Sequence, residues 1–169
     1  MSMAASRSGG TRFILVAAFA ALLALSAGPL ANPAPVRAGT AETTEANLLQ
    51  WVNAERSKRG VPALRLRSAL VDLAGDRAAK MASTGDLEHS SCLACKLRNR
   101  GISFVTCSEV IAYTTYPWGD QAAQSIFNGW KGSTVHWGIL MSRTYTSVGF
   151  GVAYRSSNSS TWAAGVLTG

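Results

Sequence analysis

Between Ser147 and Tyr154 the side chains alternate strictly in size. Val148, Phe150, Val152 and Tyr154 fall on one side, and Ser147, Gly149, Gly151 and Ala153 on the other. A period of two is the signature of a β-strand, which the spacing places over 145–155. A strand face made only of Gly, Ala and Ser lets another part of the molecule come close to its backbone. Two readings follow. Either a helix packs on that bare face, or the face is the floor of a site with His136 at its rim.

The start of the chain belongs to a different class of sequence. Residues 1–12 carry Arg7 and Arg12 and no acid, and Phe13–Leu25 is apolar apart from small residues. This is the order of an export signal, with cleavage expected after Ala27 or after Ala38. The alternative is a retained anchor over residues 13–31, which reaches the roughly 20 apolar residues of a membrane span only by including Gly28 and Pro29. Residues 1–38 are therefore read as signal peptide and Pro-rich leader, 39–45 as a tail and 46–169 as one domain of ordinary size. Of the sixteen basic residues, Arg7, Arg12 and Arg37 lie in the leader, which leaves a modest positive balance against nine acids. The rest are scattered, with no basic stripe interleaved with aromatics, so nucleic acid is excluded as a partner. Membrane contact is expected only through an uncleaved leader.

Helical spacing of Leu48, Trp51, Val52 and Glu55 predicts a first helix from Thr44 or Glu45, ended by Gly60 and Pro62. A second runs from about Arg67 to Thr84 on the stripe Leu70, Ala74, Ala78 and Met81, with Gly75 marking close packing and Gly85 as its stop. Ser91 is expected to cap a short helix ending near Arg100. Val105–Tyr113 reads as a strand. Asp120 reads as the cap of a helix on Ala123, Ile126, Phe127 and Trp130. Ser133 begins a short turn or helix carrying His136. The strand at 145–155 and a final one at 160–167 form a C-terminal hairpin. Helices first and strands last indicate an α+β fold, an antiparallel sheet covered by helices.

Three groups stand out chemically: His89, Glu109 and His136, the chain's two histidines and a carboxyl group set among Val110, Ile111 and Ala112. Two imidazoles and a carboxylate can bind a divalent metal such as zinc, or hold a polar ligand with histidine as proton carrier. The plainer alternative is that each histidine caps a helix or bonds a backbone carbonyl. No G-x-S-x-G elbow occurs, and Ser90, Ser91 and Ser133 read as caps. Trp130, at helical spacing, reads as core. Trp118, in a loop, is the better candidate for touching a ligand.

Several segments carry a family resemblance. Asn53-Ala54-Glu55-Arg56 with Gly60, Leu64 and Leu66, then His89 after Gly85, resemble the opening of the CAP superfamily (cysteine-rich secretory, antigen 5 and pathogenesis-related 1 proteins). Ser108–Ala112 resembles its Gly-Glu-Asn-Ile-Ala segment. Trp130 with Gly132–His136 resembles its Trp…Ser-Pro-Gly-His segment, and Val148–Ala153 its Val-Gly-Val-Gly-Val-Ala strand. The resemblance implies an α-β-α sandwich with a cleft of two histidines and two acids, some members binding a divalent metal there. His89, Glu109 and His136 match three of those positions, and no acid lies between His89 and Glu109 to match the fourth. It also implies ligands such as lipids or cell-wall components.

The three cysteines are Cys92, Cys95 and Cys107. In an exported chain two are expected to pair. The first expectation is a bridge from Cys107 to Cys92 or Cys95. Zinc held by His89 and the cysteines comes second, and a C-x-x-C redox pair last. Together these readings describe an exported binding domain. A hydrolase using His136 or His89 with Glu109, and an interaction module with a vestigial cleft, are the alternatives.

Overall fold

The computed structural model describes residues 40–169, and the signal peptide over 1–38 and the anchor over 13–31 lie outside them. Among the described residues, no helix is long and apolar enough to cross a membrane. In the described residues, five α-helices surround a four-stranded sheet.

Helix α1 is Ala41–Lys58. It begins earlier than the sequence suggests, because Thr40 is the cap: its hydroxyl accepts from the Thr43 N–H. The supposed tail is therefore mostly helix. Thr44 is buried within the helix, where its hydroxyl donates to the Thr40 carbonyl and accepts from the Gly119 N–H at 2.7 Å. At the other end Arg56 is fully buried. Its guanidinium donates to the carbonyls of Pro62, Leu140, Ser142 and Tyr145 at 2.7–3.0 Å. Four carbonyls around one cation satisfy a charge that burial would otherwise penalise. They also tie the end of α1 to the loop that follows it and to one distant segment, residues 140–145.

Strand β1, Arg65–Leu66, is a short addition that periodicity could not reveal. Asn53 sets it up by bonding both the N–H and the carbonyl of Leu64. Helix α2 is Ser68–Thr84, α3 Leu93–Asn99, β2 Cys107–Thr114, α4 Asp120–Gly132 and α5 Thr134–Leu140. Gly119 rather than Asp120 is the cap of α4, and Cys92 rather than Ser91 that of α3. Strands β3 (Ser147–Arg155) and β4 (Ser160–Thr168) are joined through a 3₁₀ turn. The sheet order is β1-β3-β4-β2. The three long strands are antiparallel as expected, while β1 pairs in parallel with β3.

The molecule has three layers. Leu48, Val52, Ile126 and Trp130 pack with Val110 and Phe150 on one face of the sheet, and Trp130 donates its indole N–H to the Ile111 carbonyl. On the other face Leu70, Leu73, Ala74 and Met81 of α2 pack against Ile111, Trp162, Ala164 and Val166. The bare face of β3 lies under α2. A Cβ added to Gly149 would fall 2.1 Å from the Leu70 carbonyl carbon, and one on Gly151 would fall 2.1 Å from the Gly75 amide nitrogen. The helix reading of the alternation is the correct one. The small residues seat α2 and are not the floor of a cleft.

Candidate functional site

Strand β2 is the edge of the sheet, and Glu109 projects from it toward the α2 side while remaining almost wholly buried. Helix α2 stops at Gly85, whose φ of 84° is left-handed and whose N–H returns to the Met81 carbonyl. That turn sends residues 86–91 back along the β2 edge and delivers His89 and Ser90 to Glu109. On the far side, Ser133 caps α5 by accepting from the His136 N–H, which fixes His136 in the first turn. Three elements distant in sequence thus bring the three anticipated residues together. The His89 and His136 rings lie 6.1 Å apart between centroids.

Glu109 accepts four hydrogen bonds. Oε1 takes the Nε–H of Arg77 at 2.8 Å and the hydroxyl of Ser90 at 3.0 Å. Oε2 takes the Ser90 backbone N–H at 2.8 Å and faces Nδ1 of His89 at 3.0 Å. Burial pushes the Glu109 carboxyl up. The Arg77 and Ser90 hydrogen bonds, the Arg77 charge and the His89 bond outweigh it, and its pKa lies below the ordinary range. An ionised carboxylate can only accept, so Nδ1 of His89 carries the proton. In the neutral ring Nε2 is then left with a lone pair, and that side chain is about half exposed. Burial, and then the nearby charge of His89, hold His136 below the usual histidine value.

The three residues line an open pocket of about 350 Å³ with Leu93, Cys107, Val135 and Ile139 along its apolar wall. The lining combines imidazole nitrogens with aliphatic carbon. Trp118 takes no part: it is half-buried against Tyr154, with ring centroids 5.6 Å apart.

Arg77 and Ser90 are the site residues that sequence reasoning missed. A signal for Arg77 existed. A carboxylate in an apolar strand requires a positive partner, and Arg77 borders the apolar stripe of α2, which packs on that side of the sheet.

The cysteine expectation is corrected. Cys92 bonds Cys95, and Cys107 is free. Cys92 caps α3 and Cys95 lies in its first turn, so one turn of chain brings the two Cα atoms to 5.2 Å, within ordinary disulfide reach. Oxidised sulfurs also cannot supply the thiolates of a structural zinc site. Nor do the residues fit a metal at the cleft. Both Glu109 oxygens are committed to other donors, which leaves two imidazoles where zinc sites use three or four protein ligands. Among the described residues, no three His, Cys, Asp or Glu side chains cluster as a metal would require.

A three-layer α-β-α sandwich with a His–Glu–His edge pocket defines a class, and the sequence places the chain within it. Residues 49–167 match the Cysteine-rich secretory protein family, CAP, and the chain belongs to that family. A sequence comparison with curated proteins finds no match. Among solved structures, the fold is similar to an extracellular protein containing an SCP domain from Bacillus anthracis, with a TM-score of 0.64 and 18% identity over 75% of this chain and 40% of that one. It is also similar to a cysteine-rich secretory protein from Staphylococcus aureus, with a TM-score of 0.61 and 18% identity over 81% and 41% of the two chains. An outer surface protein of Borrelia burgdorferi matches with a TM-score of 0.65 and 15% identity over 76% and 94%. The matched region spans about two fifths of the first two proteins. At these identities the likeness is one of fold.

Proposed function

We infer that this is an exported CAP domain whose edge pocket binds a small hydrogen-bond-donating ligand of the cell envelope, a cell-wall fragment or a lipid headgroup. The observation that carries this reading is the fourfold bonding of Glu109. A buried carboxylate holding four hydrogen bonds keeps His89 in one tautomer, with Nε2 as its acceptor nitrogen on a half-exposed ring. Preorganised acceptors beside an aliphatic wall suit a hydroxyl or amide attached to a carbon skeleton. Export is supported by the charged and apolar leader, and by relatives described as extracellular, secretory or outer-surface proteins.

The test is an NMR titration of the two histidine ring resonances with muropeptides released from a cell wall, alongside dispersed phospholipid. Both rings are expected to shift with one of these ligands, and His89→Ala plus His136→Ala to weaken binding at least roughly tenfold. Equal affinity in the double variant would remove the reading. A hydrolase is the second reading, favoured by the same Glu109–His89 couple, which is the orienting half of a general base. Water would then be the attacking group, since Ser90 is committed to Glu109. Peptide and ester turnover unchanged in Glu109→Gln would eliminate it.

A further inference from the structure

Behind the His89 loop, α2 and α3 enclose a trough of about 360 Å³ lined by Arg77, Lys80, Lys96, Asn99 and Arg100 with a single acid, Asp76. The charges there are unequally matched. Arg100 is hydrogen-bonded to Asp76, and Arg77 to Glu109. Lys80 of α2 and Lys96 of α3 have no side-chain partner among the described residues, and both also line the adjoining pocket that reaches His89. Arg77 is held by its Nε and one terminal nitrogen, which bond Glu109 and the Glu88 carbonyl, so the guanidinium is fixed in orientation at the trough wall. Two uncompensated ammonium groups sharing one concavity repel each other until an anion lies between them.

We propose that this trough binds the phosphate monoester group of a small organic ligand, between Lys80 and Lys96. A phosphate monoester carries close to two negative charges at neutral pH and offers three acceptor oxygens, which matches two point-charge donors and the Asn99 amide. A carboxylate would leave one lysine uncompensated. The acids Asp86 and Glu88 stand at the end nearer His89, so the anionic end of the ligand belongs at the Lys96–Asn99 end and its neutral part toward the loop. The inference goes beyond the His89–His136 reading and stands independently of it, because neither lysine lines the edge pocket.

Calorimetry of the full chain with sn-glycerol 3-phosphate, and with glycerol as the neutral control, tests it. The phosphate ester is expected to bind and glycerol not to bind. Lys80→Ala plus Lys96→Ala is expected to weaken binding at least roughly tenfold, while Lys58→Ala plus Lys131→Ala, which removes the same charge away from the trough, leaves it unaltered. Added salt is expected to weaken binding in the wild type more than in the lysine variant. Equal affinity in the lysine variant, or no preference of the wild type for the ester over glycerol, overturns the proposal. Phosphatidylcholine vesicles doped with a phosphomonoester lipid identify the source. Lysine-dependent co-sedimentation assigns the group to a lipid headgroup, and binding of the soluble ester alone assigns it to a free metabolite. The His136→Ala variant, changed at a residue that lines the edge pocket and neither basic concavity, is expected to bind the ester as the wild type does, which separates this result from that of the edge pocket.

Discussion

Arg77 on α2 and Glu109 on β2 form an ion pair through the helix–sheet interface, Nε to Oε1 at 2.8 Å, with their side chains only 11% and 4% exposed. Removing Arg77 leaves Glu109 buried and charged without its ionic partner, held only by Ser90 and His89. Arg77→Met is therefore expected to cost about 3 kcal/mol, lowering the melting temperature by about 10 °C for a domain of this size. Arg77→Met with Glu109→Leu is expected to recover part of that loss, because the orphaned charge is gone. Urea denaturation of the two single variants and the double variant measures the coupling directly. Strict additivity of the single effects would show that the pair does not form.

Glu42, Glu55, Glu109 and His136 all make stability rise with pH. Glu109 and Glu55 have depressed pKa values in the folded protein, Glu55 down to about 2 through the hydrogen bonds from Arg59 and Lys58. A depressed carboxyl stabilises the fold above its unfolded pKa, and that contribution is lost as pH falls through the folded value. His136 is depressed too, so the unfolded chain takes up its proton first, and stability falls as pH drops below about 6.5. Burial raises Glu45, which opposes the carboxyl trend near its own titration. The urea midpoint is expected to decline modestly below about pH 6.5 and steeply below about pH 4.5. His136→Asn is expected to remove the first step alone. Midpoints measured from about pH 3 to pH 8 check both steps.

Much of this site could be read from the sequence because its three groups are rare and each adjoins a break. Gly85 precedes His89, Ser133 precedes His136, and Glu109 interrupts an apolar strand. Breaks and polar interruptions are local signals. The disulfide was not legible in the same way. Cys107 and the Cys92–Cys95 pair are close in sequence, and only the folded path shows that the α3 turn closes the shorter bridge. The parallel pairing of β1 depends on Asn53 bonding Leu64 eleven residues away, a contact with no periodicity to announce it. The alternation in β3 revealed a face of small residues but could not say what covers it. Gly75 on α2 held that information, since its amide nitrogen is what a Cβ on Gly151 would strike.

Gly75 and Gly151 are in contact and yet are expected to respond oppositely to alanine. A Cβ on Gly75 meets no atom within 4 Å, and Ala outperforms Gly in a helix interior, so Gly75→Ala is expected to stabilise by about 1 kcal/mol. A Cβ on Gly151 would overlap the α2 backbone, which cannot swing aside as a side chain can. Gly151→Ala is expected to destabilise by about 3 kcal/mol, and Gly149→Ala to behave like it. Thermal melts of the three variants decide the matter. A neutral Gly151→Ala would mean that α2 does not lie on the sheet as described.

The cysteine arrangement predicts a simple peptide map. Without reductant, one thiol per chain is expected to react with iodoacetamide, and that thiol is Cys107. It is expected to react slowly at neutral pH, because burial pushes its pKa up more than Arg98 lowers it. Cys92 and Cys95 are expected in one tryptic peptide two mass units below its reduced form. Replacing both by serine is expected to cost about 2 kcal/mol, the small value that a short closed loop gives in the chain-entropy account. A cross-link between the Cys107 peptide and either of the other two cysteines would refute the assignment.

The two imidazoles test the pocket most directly, because each reports on the other. Burial is the larger cause of the low His136 pKa, and the charge of His89 is the smaller one. Replacing His89 removes the charge and leaves the burial. In His89→Ala the His136 ring is therefore expected to titrate at a higher pH than in the wild type, yet still below about 6.5. Salt is expected to narrow the difference, since one of the rings is half exposed and its field is screened. The Cε1 proton shift of His136 followed against pH gives the answer. Identical curves for wild type and variant would place the rings beyond each other's influence, and no pocket framed by both could then exist in solution.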